Sequence, residues 1–270
     1  MWLSGNRKGI TARKMRNTEI NKMLPYILEI MEMMVECGAE IYRIEESATR
    51  IFKAYGAKRV DVYATTSNII LSVETEDGII KTHTRRVLKI SYDIEKMHNL
   101  NSLVRRVTNE IPDVSVISEE IRKIKSTKNY PYWVGVLFYG IIAAAFYMFF
   151  GGRNAVELII SALIGLITGV LSNHFDGKVS NKFTIKFICS FVACMISYGS
   201  YKLNIINDVD YIIIGNIMTL IPGVGLTNSL RDLFSGDSIS GILRMIEAAL
   251  LALSIAGGYI VTTFCFGGAI

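Results

Sequence analysis

"YWVGVLFYGIIAAAFYMFF", Tyr132–Phe150, decides the fold class of this chain: its 19 residues carry no charged side chain. A helix needs about 20 predominantly apolar residues to cross the roughly 30 Å hydrocarbon core of a bilayer. Only a backbone that satisfies its own hydrogen bonds survives there, so the stretch reads as a transmembrane helix. Toward the C-terminus four more candidate spans follow. They are "AVELIISALIGLITGVLS" (Ala155–Ser172), "FTIKFICSFVACMISYGSY" (Phe183–Tyr201), "YIIIGNIMTLIPGVGL" (Tyr211–Leu226) and "GILRMIEAALLALSIAGGYIVTTFCFGG" (Gly241–Gly268). The fourth is short and interrupted by Pro222-Gly223; the fifth is longer than a crossing requires.

Toward the N-terminus the composition changes. Residues 1–132 hold 22 of the 29 Lys and Arg and 17 of the 24 Asp and Glu; the other 138 residues hold 7 of each sign. The net charge of +5 therefore belongs to the first half. Basic residues beside a membrane face anionic lipid, so this charge does not point to a nucleic-acid partner. The expected fold is a membrane α-helical bundle of five transmembrane helices preceded by a small cytoplasmic α+β domain. A basic tail covers 1–17, the α+β domain 18–130 and the membrane domain 131–270.

Loop charges set the orientation. Arg122, Lys123, Lys125 and Lys128 adjoin the first span and place the α+β domain in the cytoplasm. Lys178 and Lys182 put the next-but-one loop inside as well, and five spans leave the C-terminus outside. A chain that lost the weak fourth span would end inside. The first 17 residues hold no apolar run of signal-peptide length, so no cleaved export signal is expected and the first span targets the chain to a bacterial inner membrane. Cys37, Cys189, Cys194 and Cys265 show no metal-binding spacing and are expected reduced and packed. Gly165 and Gly169 form a GxxxG pair, which suits close helix packing within one chain or between copies of an oligomer.

The soluble half changes period along its length. "TEINKMLPYILEIMEMMVECGA" spaces Met23, Ile27, Ile30 and Met34 as the apolar face of a helix that stops near Gly38. A second helix covers Ile41–Tyr55. "RVDVYATTSNIILSVETEDGIIKTHT" alternates, with "EDG" at 76–78 as a hairpin turn, and predicts three strands. Helices follow near Asp93–Glu110 and Val116–Lys125, separated by Pro112. No nucleophile has a spaced His and acid, no Gly-rich phosphate loop appears, and metal-ligand spacing is absent. His83 reads as an ordinary strand histidine. No enzyme activity, cofactor or metal is expected.

The chemistry concentrates instead in "IPGVGLTNSLRDLFSGDSISGILRMIEAA", Ile221–Ala249. Pro222 removes an amide donor and breaks the helix entering it. Freed carbonyls in a membrane must face protein or a water-lined cavity, and an interrupted apolar segment is the best sequence pointer to a transporter's substrate site. Pro222, Gly223, Asn228, Arg231, Asp232, Asp237, Arg244 and Glu247 are the candidate substrate-binding and translocation residues. Arg244 and Glu247 share a helix face at i, i+3. An ordinary cytoplasmic loop with solvated Arg231-Asp232 is the plainer alternative. Glu40, Arg43 and Glu45, near the start of the second helix, form either a structural ion-pair network or a regulatory, gating contact.

The segment 222–244, with Pro222, Gly223, Asn228, Arg231, Asp232, Gly236, Asp237 and Arg244, resembles the hallmark of the threonine/serine exporter (ThrE) family. "ECGAEIYRIEESATRIFKAYG", Glu36–Gly56, and "SNKF", Ser180–Phe183, fit that family too, in the expected order. The one-chain exporters carry a second block of spans after the fifth, and this sequence stops at Ile270. It resembles the larger subunit of the two-component form, whose partner is a small all-membrane protein, with succinate or threonine and serine as exported solutes. The resemblance implies a secondary transporter subunit for small hydrophilic carboxylates or amino acids. With no ATP-binding motif, an ion or proton gradient would drive it. The alternative is a membrane-anchored sensor or scaffold whose soluble domain binds a metabolite or protein.

Overall fold

The computed structural model describes residues 17–127, 130–175 and 181–266. The basic tail up to Arg16, Lys128, Lys178, Ser180 and the end of the fifth stretch beyond Phe266 lie outside the described residues.

By compactness the chain forms two units. The first comprises residues 1–127 together with 227–244; the second comprises 128–226 and 245–270. The sequence alone suggests a single boundary near residue 130, whereas Thr227–Arg244 packs with the N-terminal half.

In the first unit, α1 (Asn17–Glu36) and α2 (Ile41–Ala54) precede a meander of β1 (Arg59–Ala64), β2 (Asn68–Glu74) and β3 (Ile80–Arg86), followed by α3 (Ile94–Glu110) and α4 (Val114–Lys125). The strands are antiparallel in the order β1-β2-β3, with Val62 opposite Leu71 and Leu71 opposite His83. Strict alternation on β2 buries Ile69, Leu71 and Val73 and turns the residues between them outward. These three pack in one core with Ile27 and Met34 of α1, Ile44 and Phe52 of α2, Leu100 and Val107 of α3, and Ile117 and Ile121 of α4. Asp93 caps α3 by accepting the Lys96 amide. His83 is exposed on the edge strand β3.

The second unit is helical. α5 (Tyr132–Phe149), α6 (Ala155–Phe175) and α7 (Lys182–Lys202) are each long and apolar enough to cross a membrane. α8 (Val209–Met218) is short; a break follows, and α9 (Gly223–Phe234) resumes at an angle of 56°. α10 (Ser238–Cys265), of 28 residues, is also long and apolar enough to cross a membrane. Among the described residues there are thus four candidate spans, or five if the bent pair α8–α9 makes one. Thr227–Phe234, read from sequence as loop, is helical. Pro222 sits directly before the first helical position, where its missing donor costs nothing and its fixed φ favours a helix start. Leu226, Leu230 and Leu233 then recur at helical spacing.

Polar side chains lock the interior of this second unit. Glu157 on α6 is buried; it accepts the Tyr147 hydroxyl at 2.7 Å and the amides of Asn207 and Asp208 at 2.9 and 3.2 Å. It thereby satisfies free donors at the entry to α8. One turn along α6, Ser161 donates to the Ala143 carbonyl and accepts from Nδ2 of Asn216 on α8. Gly165 and Gly215 permit this closeness. A Cβ at Gly165 would lie 2.7 Å from the Tyr139 carbonyl oxygen, and one at Gly215 would lie 2.9 Å from the Tyr147 amide nitrogen.

Candidate functional site

The site is built around the turn that joins α1 to α2. α1 ends at Glu36, and Gly38 takes φ +81°, a left-handed conformation that glycine adopts without strain. A side chain there would also collide with the Tyr92 ring, 2.5 Å from the position of a Cβ. The turn exposes the carbonyls of Gly38 and Ala39 and the first free amides of α2, those of Ile41 and Tyr42.

The segment 227–244 supplies a partner for each of them. Asn228, Arg231 and Asp232 are spaced i, i+3, i+4 on α9 and so share one face. Asn228 Nδ2 donates to the Gly38 carbonyl at 2.8 Å. Asp232 Oδ1 accepts the Ile41 amide at 3.1 Å, and Asp237, in the turn after α9, accepts the Tyr42 amide. Arg244 on α10 donates from Nη2 to the Ala39 carbonyl at 2.8 Å and pairs through Nη1 with Asp232 Oδ2 at 3.0 Å. Asp232 and Arg244 are 0% and 3% exposed, so this ion pair is fully removed from water. Two aspartates therefore cap the start of α2 from nearly 200 residues away in sequence, where the residue at its own cap position, Glu40, makes no side-chain cap.

Glu40 is committed elsewhere. Its carboxylate, 6% exposed, bridges two guanidinium groups: Arg43 Nε lies 3.1 Å from Oε2, and Arg231 Nη1 pairs with Oε1. Arg43 and Arg231 are about half exposed. Glu45, one turn along α2, accepts the Ala64 amide at the end of β1 at 2.7 Å. Burial pushes its carboxyl above the ordinary glutamate value; the bond from Ala64 opposes this and the charge of Asp237 adds to it. Burial likewise raises Asp237 above the ordinary aspartate value, against the bond from Tyr42.

Of the eleven residues singled out from sequence, Glu40, Arg43, Asn228, Arg231, Asp232, Asp237 and Arg244 form one connected network, and Glu45 stands beside Asp237. Sequence separated these into a translocation group and a gating group; the fold joins them. Glu247, expected to share a face with Arg244, has a different partner: Lys182 Nζ, 3.2 Å away in the second unit. Pro222 and Gly223 mark the break before α9 in that same unit. Among the described residues no group of three His, Cys, Asp or Glu side chains is placed to hold a metal ion.

Glu157, Ser161 and Asn216 are among the buried polar residues that escaped the sequence reading. A signal existed for the first, a lone acid in the apolar run "AVELIISALIG", since intramembrane charges are rare and partnered. Ser161 and Asn216 are too common in spanning helices to stand out.

Comparison with known proteins places this geometry in a family. A family model described as "Putative threonine/serine exporter" matches residues 25–266. A "Probable succinate transporter subunit YjjP" of Klebsiella aerogenes is 26% identical over 237 residues, covering 87% of this chain and 90% of that protein. A "Probable threonine/serine exporter" of Mycobacterium tuberculosis is 22% identical over 95% of this chain and 48% of its own length. A fungal relative, "Pheromone-regulated membrane protein 10" of Eremothecium gossypii, is 25% identical over 90% of this chain but only 33% of itself. The chain thus spans nearly all of the bacterial subunit and half or less of the longer relatives. No solved structure matches it. Family membership sets it among membrane transport proteins rather than enzymes, and with a match running from residue 25 to residue 266 the chain belongs to the threonine/serine exporter (ThrE) family.

Proposed function

We propose that this chain is one subunit of a secondary transporter that exports small hydrophilic carboxylates or amino acids. It works with a small all-membrane partner in a bacterial inner membrane, with its N-terminal unit in the cytoplasm, its C-terminus outside, and copies assembled as an oligomer. The observation that carries this reading is the extent of similarity to the Klebsiella aerogenes subunit, which takes in nine-tenths of a protein named as part of a succinate transporter. A threonine/serine exporter is similar to this chain over about half of its own length.

Within the proposed translocation set of Pro222, Gly223, Asn228, Arg231, Asp232, Asp237, Arg244 and Glu247, the two arginines divide their roles. Arg244 is sealed between Asp232 and the Ala39 carbonyl and serves as a tie. Arg231 keeps half of its side chain in solvent and shares Glu40 with Arg43. A substrate carboxylate can take the place of Glu40 on Arg231, with the bidentate geometry that guanidinium favours. Glu40, Arg43 and Glu45 then act as the gate, with Glu40 balancing Arg231 when no substrate is bound.

The test is counterflow of radiolabelled serine, threonine or succinate in proteoliposomes. They hold the chain with and without the product of an adjoining reading frame that encodes a short multi-span protein. Exchange of at least one solute with both chains present, lost in Arg231→Ala at unchanged protein insertion, is the expected result. No exchange under any condition would overturn the transporter reading in favour of a membrane-anchored sensor or scaffold.

A further inference from the structure

A groove of about 560 Å³ runs through the first unit between α2 and β1. One wall is a face of α2 on which Tyr42, Glu45, Thr49 and Lys53 follow at intervals of three and four residues. The other is β1 at Val60–Val62. Among the described residues β1 is an edge strand, paired with β2 alone. In an antiparallel pair alternate residues turn their backbone groups toward the neighbouring strand, and the residues between them turn theirs away. The end of the strand fixes the phase. The Thr65 amide bonds the Asn68 carbonyl across the sheet, whereas the Ala64 amide points the other way and donates to Glu45 at 2.7 Å. Val62 and Val60, two and four residues back, share the orientation of Ala64, so their amides and carbonyls face the groove. Neither makes a hydrogen bond outside the sheet among the described residues. Edge strands are usually protected by charge. β3, the opposite edge, carries Lys81, Arg85 and Arg86. On β1 the charged Arg59 and Asp61 pair with one another at 2.8 Å, and Val60 and Val62 lie against the core.

We propose that the α2–β1 groove receives an extended segment of another protein, which joins the sheet as a fourth strand antiparallel to β1. Main-chain bonds to a free edge supply affinity in such additions, and side-chain contacts supply specificity. Val60–Ala64 offers about 14 Å of edge at about 3.4 Å per residue, enough for four or five residues. Charge sets the partner's chemistry. Only four residues, 55–58, join α2 to β1, so Arg50 and Lys53 stand at the Val60 end of the groove and Glu45 and Glu46 at the Ala64 end. Glu46 and Arg50 are 3.6 Å apart and more than half exposed, a pair weak enough to yield to a ligand. A segment running antiparallel to β1 therefore carries a Lys or Arg near its N-terminal end and an acid about four residues later. Residues 1–16 of this chain hold five basic side chains and no acidic one, so they match one end only. β1 of a second copy would bring its own α2 and does not enter. An added strand would compete with Glu45 for the Ala64 amide. Because Glu45 lies beside Asp237, occupancy would reach the network at the α1–α2 turn.

The test needs no transport. The full chain in lipid nanodiscs is titrated with the labelled peptide fluorescein-Gly-Lys-Val-Thr-Val-Glu-Ser-amide, read by anisotropy. Saturable binding is expected, weaker by about tenfold or more when the Lys and Glu of the peptide are exchanged. Strand addition has its own signature: N-methylation of one alternate set of peptide residues should abolish binding, and N-methylation of the other set should not. Val62→Pro removes a donor from the free edge and none from the ladder with β2, so binding should fall about tenfold or more at a similar unfolding temperature. Glu46→Lys with Lys53→Glu, both at exposed positions, should reverse the preference between the two peptides. No saturable binding up to about 5 mM, equal affinity for both charge orders, or tolerance of both N-methylated series would overturn the proposal. Displacement of the peptide by a synthetic copy of residues 1–16 would also overturn it, giving the groove to this chain's own N-terminal segment. Absence of counterflow with peptide binding intact would count against the exporter reading alone.

Discussion

Asp232 and Arg244 show what a single pair of side chains contributes here. Each is almost wholly buried, each bonds a backbone group of the α1–α2 turn, and they pair with one another at 3.0 Å. Removing one partner of such a pair leaves a buried charge uncompensated and costs about 3–5 kcal/mol. Arg244→Ala should therefore lower the unfolding temperature of the detergent-solubilised protein sharply. Asp232→Asn/Arg244→Ala together should cost less than the sum of the single changes. Arg231→Ala removes a half-exposed pair and should cost about 0–1 kcal/mol; an Arg231→Ala loss as large as that of Arg244→Ala would sink this division of roles. Glu45 supplies a pH signature. Its folded-state carboxyl titrates above the ordinary value, mainly through burial, so the folded state holds that proton more tightly than the unfolded chain. The resulting stabilisation is complete below the unfolded value, near pH 4.5, and fades as pH rises through the folded one. Glu45→Gln keeps an acceptor for the Ala64 amide and should flatten this part of the stability–pH curve, being neutral or stabilising at pH 7. Sequence picked out these residues through their density beside a broken apolar run. It did not show their partners, because a backbone amide 191 positions away carries no side-chain signal.

Elements were more legible than contacts, for a physical reason. Periodicity is local, so the three alternating strands and the amphipathic helices α1 to α4 stand in the structure within a few residues of where their apolar spacing puts them. The spans α5 to α7 and α10 follow from length and apolarity alone. α9 was missed because its residues 227–234 mix polar groups on the face that meets the α1–α2 turn with leucines on the other faces, a pattern resembling loop in a membrane protein. What local pattern cannot reveal is how closely two helices approach. The α5·α6·α8 packing depends on positions with no side chain, since a Cβ at Gly165 or Gly215 would meet backbone atoms at 2.7–2.9 Å, and backbone cannot swing aside. Gly165→Val and Gly215→Val should each destabilise the membrane unit by about 1–3 kcal/mol or more through overpacking. Gly199→Val, where a Cβ meets nothing within 4 Å, should be tolerated. Thermal unfolding monitored by the size-exclusion peak in detergent separates these outcomes; equal tolerance of all three would show that the helices are not held at contact distance.

At the scale of the whole molecule, the composition of the first unit constrains how the chain threads the membrane. Residues 17–127 and 227–244 are joined by buried bonds, Ile41 to Asp232 and Ala39 to Arg244 among them. Two segments bonded in this way must lie on the same side of a bilayer. The chain between them must therefore cross an even number of times. If the candidate spans α5, α6 and α7 each cross, as we propose, the bent pair α8–α9 has to supply a fourth crossing, even though α8 has only 10 residues. A broken span is tolerable there because Asn216 and Thr219 satisfy part of the freed backbone: the Thr219 hydroxyl and amide both bond the Asn216 carbonyl. On the five-span path we propose, α10 would make the fifth crossing and carry Cys265 to the outer face. Cys37, Cys189 and Cys194 are buried, so Cys265 is the exposed thiol among the described cysteines and serves as its own reporter. In intact bacterial cells a membrane-impermeant maleimide should label Cys265. In a Cys265→Ser background, Ser126→Cys, exposed at the end of α4, should react only after permeabilisation, and Ile205→Cys, between α7 and α8, should react without it. If Cys265 and Ser126→Cys label from the same side, the count of crossings is even over the whole chain. The bent pair then does not span, and the bonds that tie Asp232 and Arg244 to the α1–α2 turn cannot exist in the membrane-inserted protein.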